Sequence, residues 1–188
     1  MLRINPKESP YPDSVQRELD KLVPPGMTPI VLFRVLARDE RLFQRFIGNG
    51  LLDRGHLTLR QREIVILRVC ANNGSEYEWG VHVTAFAGRA KLDAERIEKT
   101  LQPSDAPGWE PSERLLLRLC DSLQTETTLS DDFWSELRSA FTEEALLELL
   151  LLVGTYRTVS LLTNVLEMPL ESFAARFPDG ASLQHSAR

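Results

Sequence analysis

Apolar residues return every three or four positions through most of the chain, and runs alternating apolar with polar are hard to find, so the pattern predicts an all-α protein. Breaks in the pattern coincide with helix-stopping residues. A helix starts at Asp13 and runs through SVQRELDKLV until Pro24, Pro25 and Gly26 end it, and two more cover 28–38 and 39–48, the second closed by Gly48, Asn49 and Gly50. The next runs from about Thr58 to Asn72 and ends on Asn-Asn-Gly. Ser75 opens a further helix, which Gly88 to Lys91 close, and LDAERIEKTL forms a short one headed by Asp93. The loop QPSDAPGWEP holds three of the eleven prolines and marks a joint between two helical halves. Beyond it the pattern predicts helices at 111–125, 130–140 and from Thr142 to about Glu167, where Met168-Pro169 restrains the end.

The last helix is apolar nearly all round over 145–153. Such a helix is either the central core of one subunit or the seam of an oligomer. The stretch 145–162 carries Glu148 and Arg157, where a membrane span wants ~20 predominantly apolar residues, so a buried helix is expected and no membrane association. The proline-bearing N-terminus lacks the apolar core of a secretory signal. The organisation expected is an arm and first helix over 1–27, one helical domain over 28–173, and a flexible tail over 174–188.

Composition changes this picture little. The 188 residues are 43% hydrophobic and 26% charged, and a net charge of −5 is spread over both signs, which is ordinary for a globular domain and asks for no nucleic acid. Cys70 and Cys120 each sit inside an apolar helical pattern, so neither a CxxC pair nor a disulfide framework is visible and a reducing cytoplasm is the expected setting.

Three ionisable residues face the wrong way. On a wheel of ~100° per residue, His82 lies ~40° from Glu78 and shares its apolar stripe, while Glu76, Gly80, Thr84 and Ala87 lie roughly opposite. In the preceding helix Glu63 lies within ~60° of Leu59, Ile66, Leu67 and Cys70, whereas Gln61 and Arg68 point away. Helices joined by a short glycine turn pack antiparallel, which can bring Glu63 to the start of the next helix. A buried carboxylate without a partner is costly, so Glu63, Glu78 and His82 are expected to meet one another or a ligand. A carboxylate beside an imidazole, partly dry, is a general acid/base arrangement. Local alternatives stand beside it: SEYE satisfies the S-x-x-E capping box, with Ser75 as cap and Glu78 bonding back; Glu78 and His82 can form an ordinary i,i+4 contact; Glu63 can pair with Arg62 or Arg157. One histidine with two scattered carboxylates predicts no metal.

From "LTLRQREIVILRVCANNGSEYEWGVHVTAFAGRAKLDAERIEKTL" through "GWEPSERLLLRLCDSL" to "LSDDFWSELRSAFTEEALLELLLLVGTYRTVSLLTNVLEMPLE", the chain resembles the carboxymuconolactone decarboxylase and alkylhydroperoxidase D-like superfamily over about 28–173. The resemblance implies an alkylhydroperoxidase D-like helical bundle. Peroxidase-type members carry a glutamate, eleven residues, C-x-x-C, three residues and a histidine; here the glutamate falls on Glu63 and the histidine on His82, but the cysteine positions hold Ser75 and Glu78. Thiol–disulfide exchange needs a thiolate that neither residue supplies. Decarboxylase-like members show a glutamate four residues before the histidine, as Glu78 and His82 do. That implies cofactor-independent acid/base chemistry on a small organic acid or lactone, a lyase or isomerase reaction, in a homo-oligomer, a trimer or hexamer. Ser75, Tyr77 and Trp79 are candidates to line the substrate pocket, Tyr156 to offer a phenolic proton, and Arg157 to meet a substrate carboxylate; the aromatic residues can equally be packing anchors. The competing expectations are a peroxiredoxin-type antioxidant and a non-catalytic oligomeric scaffold that has lost the thiols.

Overall fold

Local signals in the sequence account for most helix starts. The computed structural model describes residues 2–49 and 51–179; the expected helix stop at Gly50 and the tail from 180 to 188 lie outside the described residues. Among the described residues there are nine helices and no strand: α1 (Asp13–Leu22), α2 (Val31–Leu36), α3 (Glu40–Gly48), α4 (Leu59–Asn72), α5 (Glu76–Phe86), α6 (Ala94–Lys99), α7 (Pro111–Thr125), α8 (Asp131–Ala140) and α9 (Glu143–Val165). Asp39, Thr58, Asp93, Ser130 and Thr142 each accept the backbone N–H three residues on, a cap worth about 1 kcal/mol apiece. Proline stands at the first position of α7, where its missing N–H costs nothing. The helix expected over 28–38 is shorter, because Ile30 offers no side-chain cap; the N–H groups of Val31 and Leu32 are taken instead by Glu171 Oε1 (2.6 Å) and Tyr77 Oη (3.1 Å) from distant parts of the chain.

α4 is the central element, packed against α7, α9 and α5, and it is buried all round from Arg62 to Ala71. Arg68, expected to face outward, is buried, with Nε 2.6 Å from Asp121 Oδ1 on α7 and Nη1 on the carbonyls of Thr100 and Gln102. The two halves on either side of the QPSDAPGWEP loop therefore share one core, in which Ile64, Ile66 and Leu67 of α4 meet Leu116, Leu117 and Leu119 of α7 and Leu149 and Leu152 of α9. A smaller cluster of Val15, Leu19, Ala37 and Phe43 joins α1 to α2 and α3. α9 is long and apolar enough to cross a membrane, but one side of it packs into the core while Leu147, Leu150, Leu151, Leu161 and Val165 on the other are exposed.

The α4–α5 turn sets the site. Gly74 adopts φ 63°, a left-handed conformation that suits glycine, and its N–H bonds to Ala71 O while that of Ser75 bonds to Cys70 O. This is a Schellman ending. It returns the chain so that α5 packs beside α4. The opposite side of α5 is covered by the chain after α9. Residues 174–177, expected to begin a loose tail, form a strap: Ala175 N–H reaches Gly80 O at 3.2 Å and Thr84 Oγ1 at 3.0 Å, Phe177 N–H reaches Glu76 Oε1 at 3.1 Å, and the Phe177 ring packs edge-on against Trp79. A Cβ at position 80 would run into the Ala175 carbonyl, which explains the glycine in mid-helix.

Candidate acid/base site

α4 delivers Glu63 and α5 delivers Glu78 and His82 to one place, with 1%, 6% and 3% of each residue exposed. His82 Nδ1 lies 2.7 Å from Glu63 Oε2, and Nε2 lies 3.4 Å from Glu78 Oε1. The imidazole thus bridges two carboxylates from neighbouring helices. Burial alone would drive it to the neutral form, but the carboxylates of Glu63 and then Glu78 outweigh that and raise its pKa to about 9. At neutral pH the ring is an imidazolium and both nitrogens are donors. Glu63 Oε1 also takes a 3.2 Å contact from Arg62 Nε, whose Nη1 holds the carbonyls of Leu52 and Asp53 in the α3–α4 loop.

The walls are aromatic and sulfur-bearing. Tyr156 of α9 stands edge-on to the imidazole at 5.1 Å, and Phe86 lies against its other side at 5.0 Å, with the Arg62 guanidinium 5.8 Å above the Phe86 ring. Burial, reinforced by the nearby Glu78 charge, pushes the Tyr156 phenol and the Cys70 thiol well up, so both stay protonated. Burial does the same to Cys120. Neither cysteine is a thiolate nucleophile in this setting. Glu78 Oε2 is buried with no protein hydrogen-bond partner. Leaving a buried acceptor unpaired costs about 1–3 kcal/mol, so an oxygen left in that state within a charged cluster marks where a proton donor would bind.

The other expected site residues separate. Ser75 is buried but caps nothing: its Oγ pairs with Thr163 Oγ1 at 2.8 Å, and its N–H is already used by Cys70 O, so Glu78 cannot complete the capping box and turns to His82. The boxes that do form are Thr58 with Gln61 at the start of α4 and Glu110 with Glu113 at the start of α7. Tyr77 points away to hold Glu171 (2.6 Å) and the start of α2, and Trp79 Nε1 donates to Thr100 Oγ1 at 3.0 Å; both are packing anchors, not pocket walls. Arg157 is exposed and bonds to Leu123 O, so Arg62 and not Arg157 neutralises Glu63. Arg62 and Phe86 are the site neighbours that sequence reasoning did not single out as site residues; adjacency of Arg62 to Glu63 was the available signal. Among the described residues no group of three or more His, Cys, Asp or Glu side chains has an arrangement that would hold a metal ion. A cavity of about 550 Å³ between α7 and α8, lined by Arg114, Arg118 and Glu136 among others, shares no residue with this cluster.

Residues 40–121, which include Glu63, Glu78 and His82, match the model of the carboxymuconolactone decarboxylase family. Over this segment the chain is similar to the carboxymuconolactone decarboxylase family, and at the spacing of a CxxC pair it carries Ser75 and Glu78 in place of thiols. Among solved structures, an uncharacterized peroxidase-related protein from Silicibacter sp. TM1040 superposes with a TM-score of 0.76 at 18% identity, covering 91% of this chain and 92% of that one. An uncharacterized peroxidase-related protein from Ralstonia eutropha JMP134, described as an alkylhydroperoxidase AhpD core, gives 0.71 at 20% identity over 90% and 93%. The debrominase Bmp8 in complex with 2,3,4-tribromopyrrole gives 0.70 at 14% identity over 90% and 92%. No curated protein sequence is similar enough to count as a match.

Proposed function

We propose that the protein is a cofactor-independent acid/base enzyme, a lyase or isomerase acting on a small organic acid or lactone. The observation that carries this reading is the buried imidazolium held between Glu63 and Glu78, with Glu78 Oε2 left without a protein partner. In this scheme Glu78 Oε2 accepts a proton from the substrate and His82 returns one from Nε2, while Glu63 fixes the ring and compensates its charge. Tyr156, kept as a neutral phenol, adds a donor beside the developing negative charge. The like-folded debrominase that holds 2,3,4-tribromopyrrole supports a small ring compound as the ligand. The protonated, buried state of both cysteines weighs against the peroxiredoxin-type alternative. The test is a screen of small lactones and β-keto acids for turnover, followed by Glu78→Gln and His82→Ala on any substrate found. Each variant is expected to lose on the order of 10²-fold or more in kcat, the usual contribution of a positioned acid or base. Turnover unchanged in both would overturn the assignment.

A further inference from the structure

Two buried donors on stacked side chains have nothing to donate to. α6 and the loop that enters α7 bring Arg96, Lys99, Gly108 and Trp109 together, away from the His82 cluster and sharing no residue with it. Arg96 lays its guanidinium over the Trp109 ring at 5.4 Å, and Trp109 is only 4% exposed. Arg96 Nη1 and Trp109 Nε1 are both buried, and neither has a hydrogen-bond partner. Trp79 shows the ordinary outcome for a buried indole, its Nε1 donating to Thr100 Oγ1. A buried donor left unpaired costs about 1–3 kcal/mol, and more on a charged group, so two at one place point to an acceptor that binds there.

The chemistry of that acceptor follows from its surroundings. Guanidinium, ammonium and indole N–H groups donate and never accept. Gly108 takes φ 99° and carries no side chain; a Cβ there would lie 2.6 Å from Lys99 Nζ and 3.4 Å from Arg96 Nη1, so both cations border the same point. Gly108 itself is exposed, and a small ligand reaches that point from solvent. Two carboxylates stand close by and are already engaged: the exposed Glu95 pairs with Lys99, and Asp93 accepts the Arg96 backbone N–H at 2.8 Å as the cap of α6. A water can accept from the two donors but leaves the guanidinium charge uncompensated. An oxyanion supplies both the acceptor oxygens and the opposite charge, in bonds roughly twice as strong as those between neutral groups.

We infer that Arg96, Lys99 and Trp109 form a binding site for a small oxyanion, a carboxylate or a phosphate, at the junction of α6 with the loop before α7. The inference is independent of the chemistry assigned to His82. The probes are acetate and inorganic phosphate, titrated separately into the full chain at an ionic strength held constant with sodium chloride, with the indole Nε1–H signals followed by 1H–15N NMR. Trp109 is assigned among the three tryptophans by its absence in Trp109→Phe, which keeps a ring beneath Arg96. Its signal is expected to move along a saturable curve with at least one anion while those of Trp79 and Trp134 stay in place; saturation by only one of the two says which oxyanion the site takes. Arg96→Gln is expected to weaken that binding by about 10-fold or more, the loss of one charge-assisted hydrogen bond. Arg114→Gln, on an exposed arginine of α7, is expected to leave it unchanged. If Arg96→Gln fails to fold, Lys99→Gln serves in its place, with a weakening of at least several-fold expected. A Trp109 signal unmoved by both anions, an unsaturating drift shared by all three indoles, or binding that the disrupting variant leaves intact would each overturn the site.

Discussion

Glu63→Gln removes the charge nearest His82 Nδ1 while keeping the shape of the side chain and one oxygen to accept the hydrogen bond. The consequence follows from the balance at the imidazole, where burial lowers the pKa and the two carboxylates raise it from 6.5 to about 9. With Glu63 neutral, only the 3.4 Å contact to Glu78 opposes burial, so His82 is expected to titrate at or below its ordinary value. The upward shift in the native protein corresponds to roughly 3 kcal/mol of folding stability. Because the folded pKa is raised, that stability is fully present below pH 6.5 and is lost as the pH rises through about 9. The assay is a histidine Cε1–H NMR titration from below 6.5 to above 9, the His82 resonance being assigned among the three histidines by its absence in His82→Ala. Urea unfolding at the two ends of the range completes it: the wild type should be the less stable at the alkaline end, and Glu63→Gln should flatten that difference. A wild-type His82 midpoint near 6.5, or a midpoint unmoved by Glu63→Gln, would refute the electrostatic account of the site.

Tyr77→Phe removes the acceptor for Leu32 N–H and the donor to Glu171, and should cost about 1–3 kcal/mol without moving the His82 titration; a shifted titration would return Tyr77 to the site. Gly80→Ala drives a methyl group into the Ala175 carbonyl, so limited proteolysis should cut the 174–177 strap faster than in the wild type, and equal rates would mean the strap is not held by that contact. Thr58→Ala should lower stability by about 1 kcal/mol through loss of a true cap, and Ser75→Ala by less because Thr163 Oγ1 keeps its bond to Ser160 O; the reverse order in thermal melts would place the cap at Ser75 after all.

The helices and the Glu63–Glu78–His82 cluster were legible because each rests on spacing. Periodicity and capping residues located all nine helices among the described residues, and α7 runs over 111–125 as read from the sequence. The three ionisable groups were found by the angle at which they leave their helices, a property fixed by 3.6 residues per turn. What escaped was long-range competition for the same groups. SEYE reads as a capping box, yet the Ser75 N–H is consumed by the end of the preceding helix, which a four-residue motif cannot reveal. Arg68 reads as an outward residue from its angle on the helix, but α7 covers that side, and the Asp121 that meets it is 53 residues away in sequence. Likewise α2 begins where Glu171 and Tyr77 can cap it, far outside its own neighbourhood.

The strap over α5 has a consequence for how the protein is made. Thr84 must wait for Ala175, 91 residues later, before its hydroxyl finds its backbone partner. On the ribosome the α4–α5 hairpin can close early through its own turn, but the outer flank of α5 stays uncovered until residues 174–177 have been made. Premature termination before that point would yield a chain with its histidine helix formed and unbraced, a natural substrate for quality-control proteases.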